Sequence, residues 1–163
     1  LPPPAVAPVV WAPVIAVAFA CRRSEALRAF VRGLDLRAPV LYHMVRVYYG
    51  AAFLVEMSAG RIPARFALVA GPGDIAAGLL ALPAAWLVTR RDAPSRALTL
   101  GWNALALADM LAVIATAQYT TFALRDGRLF TAFQRMPYAL LPTLVVPLVL
   151  VSHGVVFLQA RRG

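Results

Sequence analysis

The chain has 163 residues, 61% of them hydrophobic and only 14% charged, whereas a water-soluble domain of this size carries about 25% charged residues. All 16 cationic side chains are arginine, for a formal net charge of +9, and the lack of lysine excludes Schiff-base chemistry, a retinal pigment included. A single cysteine, Cys21, excludes an internal disulfide and a cysteine-rich metal site.

A basic balance this strong fits nucleic-acid binding where the arginines form one patch or stripe. Here they stand in short clusters between long apolar runs: Arg22 and Arg23, Arg61 and Arg65, Arg90 and Arg91, Arg125 and Arg128, Arg161 and Arg162. That is the pattern of loops between membrane spans. The expected partner is a lipid bilayer, not a nucleic acid.

The first apolar run, 5–21, contains Pro8 and Pro13. At about 1.5 Å per residue it reaches roughly 25 Å, just under the hydrocarbon thickness. It resembles the apolar region of a signal peptide but has no basic leader, so it is expected to be a first span. Cys21 at its end reads as a small apolar residue. The stretch RRSEALRAFVRGLDLR, residues 22–37, follows. Leu27, Phe30, Val31 and Leu34 share one helical face, and most of the charges lie elsewhere. This is the pattern of a basic amphipathic helix lying at a membrane surface; a solvated connector is the alternative.

Four longer apolar runs come next, 38–60, 66–89, 97–123 and 136–160, each near the ~20 residues that cross a bilayer. Short connections, GRIPARF and RRDAPSR, predict antiparallel packing of neighbours. The longer segment LRDGRLFTAFQRMP is expected to fold back on the surface through an Asp126-Gly127 turn. The fold class is therefore all-α: a polytopic membrane helix bundle of about five transmembrane helices. It divides into an N-terminal span with its amphipathic segment, 1–37, and a four-helix core, 38–163.

Orientation follows from arginine placement. The side of the 22–37 loop also receives the 90–96 loop and the C-terminus, and collects Arg22, Arg23, Arg28, Arg32, Arg37, Arg90, Arg91, Arg96, Arg161 and Arg162. The opposite side has Arg61, Arg65, Arg125, Arg128 and Arg135. The richer side is expected to face the cytoplasm, with the C-terminus inside.

Within the spans, ionisable residues are costly and usually face protein or water. Asp74 lies in VAGPGDIAAGLLALP, residues 69–83. Its helical neighbours Ala70, Gly71, Ala77, Gly78, Ala81 and Ala85 are all small, while Ile75, Leu79, Leu82 and Trp86 form the opposite stripe. Small faces admit a second helix closely, so Asp74 is expected inside a helix contact, with Pro72 and Gly73 loosening or kinking the helix beside it. By depth, Asp74 and Asp109 both lie about 18 Å from the arginine-rich side, and Arg46 about 12 Å from it. Arg46, Tyr49, Phe53, Glu56 and Gly60 form one seam. Arg46, Asp74 and Asp109 are thus expected to meet near the midplane.

Two acids against one arginine leave an excess negative charge, which a proton, a bound cation or a histidinium would neutralise. One reading is a proton, ion or small polar ligand site of a transport or channel element. The other is a buried ion pair that fixes helix register, as in an accessory structural subunit of a larger membrane complex. Glu56 is expected to pair with Arg61 or Arg65 instead.

His43 and His153 lie on different spans at about 8 and 10 Å from the same side. Matching depth is the minimal requirement for bis-histidine ligation of haem b or a pigment, as in an electron-transfer or light-harvesting subunit. Hydrogen bonding to backbone or to Asn103, at similar depth, is the plainer reading. No phosphate loop, metal-spaced Cys/His pair or nucleophile elbow occurs in the sequence, so no enzymatic activity, metal or cofactor is expected.

The runs RVYYGAAFLVEMSAGRIPARFALVAGPGDIAAGLLA, WNALALADMLAVIA and LLPTLVVPLVLVSHGVVFLQ resemble a family of small uncharacterised bacterial multi-pass integral membrane proteins. The likeness covers about residues 42–160 and rests on an Arg-x-x-x-Gly start, a Gly-Arg-x-Pro-x-x-Phe-Ala turn, an Ala-Gly-x-Gly-Asp helix start and a Pro-Thr-x-x-Val-Pro…His final span. Pro72 departs from the plain apolar residue of that pattern. The resemblance implies a bacterial inner-membrane location and groups Arg46, Gly73, Asp74, Asn103, Asp109 and His153 in one constellation. It lends no activity. With so few helices to enclose a pathway, a homo-oligomer or larger membrane complex is expected.

Overall fold

The computed structural model describes residues 3–90 and 92–160. Every regular element among them is helical: α1 (Pro3–Arg23), α2 (Glu25–Gly33), α3 (Arg37–Leu41), α4 (Val45–Ser58), α5 (Ala64–Leu87), α6 (Ala93–Gln118), α7 (Arg128–Ala132) and α8 (Val146–Ala160). A 3₁₀ turn, Tyr42–Met44, joins α3 to α4, and π-helical turns end α6 (Tyr119–Ala123) and precede α8 (Leu141–Val145).

Local chemistry sets the boundaries. Ser24 caps α2 by accepting the Leu27 N–H at 3.2 Å. Asp92 caps α6 by accepting the Ser95 N–H and hydroxyl, both at 2.9 Å, satisfying donors that the first helical turn leaves open. After α4 the chain reverses at Gly60, whose φ of +71° suits a residue without Cβ. Pro72 and Pro83 lie inside α5, yet both are exposed and the helix runs past them without interruption.

Four helical stretches are long and apolar enough to cross a membrane: Val6–Arg23, Ala64–Leu87, Ala93–Ala123 and Leu141–Ala160. The fifth expected run, 38–60, differs. It is helical over 37–58 but divided by the Tyr42–Met44 turn, so its longest regular piece, α4, has 14 residues. The turn lies where the chain presses on α5: a Cβ at Gly78 would stand 3.0 Å from the His43 carbonyl and 2.6 Å from Val47 Cγ2.

α5 is the centre of the bundle, packed against α3, α4 and α6, while α8 bridges α6 to α1. The core has two apolar parts. One gathers Tyr49, Phe53, Phe66, Met110, Val145 and Val149 with their neighbours. The other is smaller and built mostly of alanines: Val40, Ala81, Ala84, Ala85 and Val156. Along α5 and α8 the buried polar residues fall between these parts: Asp74 between Ala70 and Ala81, and His153 between Val149 and Val156. The outer surface is also apolar, with Ile15, Leu68, Leu80, Leu98 and Leu105 all more than half exposed.

The amphipathic segment is helical as α2, with Leu27, Val31 and Leu34 half-buried and Phe30 outward. Gln159 fastens it to α8 by donating to the carbonyls of Val31 (2.6 Å) and Leu34 (3.1 Å). The 124–135 segment folds back as expected: α7 buries Leu129, and Phe133 meets Phe66 edge-on at 6.2 Å. Glu56 takes Arg61 in a forked pair at 2.6 and 2.9 Å. Arg91, Arg161 and Arg162, part of the charge count, lie outside the described residues.

The Asp92 cap is pH-dependent. The Ser95 amide and hydroxyl hold its carboxyl below the ordinary carboxylate range. A depressed folded pKa contributes stability above the unfolded value of about 4 and loses it as pH falls through the folded value. Hydrogen exchange at the Ser95 amide, corrected for intrinsic rate, is expected to accelerate as pH falls below about 4; Asp92→Ala should accelerate it at neutral pH.

Candidate functional site

Arg46 enters the bundle from α4 and is buried at 2% exposure. Its Nε donates to Asp74 Oδ1 of α5 at 2.7 Å. Its Nη1 donates to the Ala106 carbonyl of α6 at 3.0 Å, and its Nη2 donates to Asp109 Oδ2, also on α6. The expected meeting of Arg46, Asp74 and Asp109 is thus present, and one guanidinium ties three helices. Its planar fork suits such convergence, which the point charge of a lysine does not.

Glycines permit the approach. A Cβ at Gly50, one turn after Arg46, would lie 2.6 Å from the Gly71 carbonyl oxygen and 3.0 Å from Asp74 Cβ. A Cβ at Gly73 would overlap Asp109 Oδ1, so the Asp109 carboxylate occupies the space that Gly73 leaves open. Asp74 is buried along with Ala70, Gly71, Ala77, Gly78, Ala81 and Ala85, the small face read from the sequence.

The two acids differ in surroundings. Asp74 and Arg46 form the polar edge of a cavity of about 70 Å³, walled by Tyr49, Phe53, Met110 and Val145 and closed on one flank by Val10 and Trp11 of α1. The Asp109 side chain is 24% exposed and faces a groove of about 430 Å³ between α5 and α6 that Leu80, Trp102 and Leu105 also line. The ion-pair cluster therefore lies between two recesses, a smaller one beside Asp74 and a larger groove beside Asp109.

The histidines form a second, separate cluster. Ser152 Oγ donates to the Val149 carbonyl at 2.7 Å, so the 2.8 Å contact between His43 Nε2 and Ser152 Oγ has the imidazole N–H as donor. His153 Nδ1 lies 2.8 Å from Asn103 Oδ1 and donates to it, while Asn103 Nδ2 donates to the His153 carbonyl at 3.2 Å. Asn103 thus belongs with His153, not with the arginine; the plainer reading of the histidines describes this geometry.

Axial ligation of one metal by two imidazoles on opposite faces of a macrocycle sets the ring centroids roughly 6 Å apart. Here they are 4.4 Å apart and in edge contact, with the Trp102 ring 5.1 Å from that of His43. Bis-histidine haem or pigment ligation by His43 and His153 does not fit this arrangement.

Sequence reasoning missed Ser152, Trp102 and the Ala106 carbonyl, and had Gly50 only as the end of the Arg-x-x-x-Gly motif. Ser152 had a signal, a hydroxyl beside His153 in an otherwise apolar run. Gly50 had one too, a glycine one turn from a buried arginine. The carbonyl had none, because any backbone oxygen is an equal candidate until the helices are docked.

Compared with known proteins, the chain matches a family model described as a domain of unknown function, DUF8737, over residues 3–161. No curated protein and no solved structure gives a significant match.

Two measurements check this geometry. Gly73→Ala is expected to lower stability by about 1–3 kcal/mol through overpacking and to displace Asp109. Gly101→Ala, whose added Cβ meets nothing within 4 Å, should be neutral or stabilising in the same thermal melt. Protein purified from haem-replete cells should show no Soret band; a band lost in His153→Ala would overturn the geometric argument against haem.

Proposed function

The chain belongs to the DUF8737 family, a domain of unknown function, and we propose that it is a small integral membrane protein whose Arg46–Asp74–Asp109 cluster holds an exchangeable proton or small cation as part of a transport or channel element. The membrane reading draws support from the four long apolar stretches and from exposed leucines on α5, α6 and α8, since large exposed apolar surface is unusual in soluble monomers. The helical rod 37–58 reaches roughly 33 Å and serves as a further crossing despite its 3₁₀ turn. The arginine-rich side faces the cytoplasm.

One observation carries the site reading: two carboxylates share one guanidinium, one carboxylate beside the smaller cavity and the other beside the larger groove. With all three groups ionised the cluster has one excess negative charge, costly in a low-dielectric interior. A proton or monovalent cation removes that cost, and its exchange between the two carboxylates would link the cavity to the groove.

A second reading rests on a different feature. The Nε, Nη1 and Nη2 atoms of Arg46 each have a protein acceptor, and the helices close on glycine, which is also the geometry of a structural lock in an accessory subunit.

Proteoliposomes with a trapped pH-sensitive dye separate the two. For transport, the wild-type protein dissipates an imposed proton or cation gradient, whereas Asp109→Asn, which removes the excess charge and keeps an acceptor for Arg46, stays folded and abolishes the flux. Flux unchanged in that variant, or none in the wild type, would sink the transport reading. The lock predicts that Arg46→Leu, which leaves two acids buried without a counter-charge, loses about 3–5 kcal/mol of stability; an unchanged melting temperature would remove it.

A further inference from the structure

Away from the charged cluster, a groove of about 570 Å³ runs between α1, α2 and α8. Val14 and Val17 of α1 form one wall, Val151 and Leu158 of α8 the other. This volume lies within the range of about 300–1,000 Å³ typical of small-molecule sites. One end is basic: Arg22, Arg28 and Arg32 line it, and no acidic residue does. No carboxylate forms an ion pair with any of these three among the described residues.

The basic end is a built feature. Arg28 Nη1 donates to the carbonyls of Arg22 (2.8 Å) and Cys21 (3.3 Å) at the end of α1, which holds its guanidinium over the mouth. The two bonds from Gln159 to the carbonyls of Val31 and Leu34 fix α2 across the end of α8 and set the position of Arg32. Gly154 lies in the groove floor, and a Cβ there would meet nothing within 4 Å. The floor is therefore open at a position where a side chain would fit.

We propose that this groove holds an acyl chain of an anionic phospholipid, with the lipid phosphate bound by Arg22, Arg28 and Arg32. Resting on the membrane reading above, the inference uses charge complementarity and the ordering of the groove along the bundle. The apolar walls run along the helices toward their arginine-rich ends, and the three guanidinium groups stand where a phosphodiester would meet them. Basic pockets between helices at the cytoplasmic face suit anionic head groups for this reason. A zwitterionic lipid offers the same phosphate, but its ammonium cancels the charge beside the arginines, so a lipid of net negative charge complements this end better.

The test is native mass spectrometry of the full chain in mild detergent, titrated with phosphatidylglycerol, with phosphatidylcholine of the same chains, and with inorganic phosphate. One phosphatidylglycerol is expected to bind at least about tenfold more tightly than phosphatidylcholine, given the contribution of each arginine near an anionic head group. Gly154→Leu, which fills the floor, should weaken phosphatidylglycerol binding by about tenfold through the lost acyl space. The double variant Arg22→Gln/Arg32→Gln, altered only at exposed rim positions, should erase the preference between the two lipids, and it tests the proposal even if Gly154→Leu fails to fold. Equal binding of both lipids by the wild-type protein, or a preference retained in the double variant, would overturn the proposal. Equal competition by inorganic phosphate would reassign the arginines to a free anion and overturn it too. Failure of the membrane reading is seen separately, as release of the protein from membranes by carbonate without detergent.

Discussion

The bundle depends on one guanidinium. Arg46 reaches out of α4 and bonds to α5 through Asp74 and to α6 through Asp109 and the Ala106 carbonyl. A buried charge is tolerated only where its donors find acceptors and its charge finds a counter-charge. Those demands fix the relative rotation and height of the three helices. They also explain the glycines, since side chains at Gly50 and Gly73 would collide with the partners that Arg46 requires. Apolar packing alone tolerates many rotations of helices rich in alanine, leucine and valine; a three-way ion pair tolerates very few.

The polar interior is divided by chemistry. Arg46 and the two aspartates join α4, α5 and α6, whereas His43, Ser152, His153 and Asn103 join the turn before α4 to α8 and α6. The two networks are consecutive along the chain, His43 and Arg46 being one turn apart. All four main helices are thus registered by hydrogen bonds between apolar packing above and below. In such an interior a half-satisfied polar group is costly: the Arg46 donors each have a protein acceptor, whereas His43 Nδ1 and His153 Nε2 are buried with no hydrogen-bond partner among the described residues. The α4–α5–α6 cluster has more acid than base, and that imbalance is why an exchangeable proton or cation is a more economical account of it than register alone.

The arginine-rich end has a different character. There α2 lies across α1 and α8 and brings Arg28 and Arg32 to an apolar groove that Arg22, at the end of α1, also lines. The hydrophobic stripe of α2 is only half-buried by the protein, which leaves part of its apolar face for the surroundings. On the proposed membrane reading, a bilayer surface would provide that contact and an anionic head group together.

The sequence by itself determined the helical class, the apolar runs, the foldback after Asp126-Gly127 and the small face around Asp74, because each follows from the residues within a few turns. It also placed Arg46, Asp74 and Asp109 at compatible heights, since rise per residue converts position into depth. It did not divide 38–60, because the turn at Tyr42–Met44 lies where the His43 backbone meets Gly78 of another helix. It left Asn103 between two groupings, because depth is one coordinate and the rotation of α6 that turns Asn103 toward His153 is another. Matching depth likewise left ligation open for the histidines, and the tertiary structure closed it by bringing the rings to 4.4 Å. Local sequence sets which face of a helix is small, polar or apolar. Which neighbour that face meets depends on how the helices dock together, and here the acceptors of one arginine govern that docking.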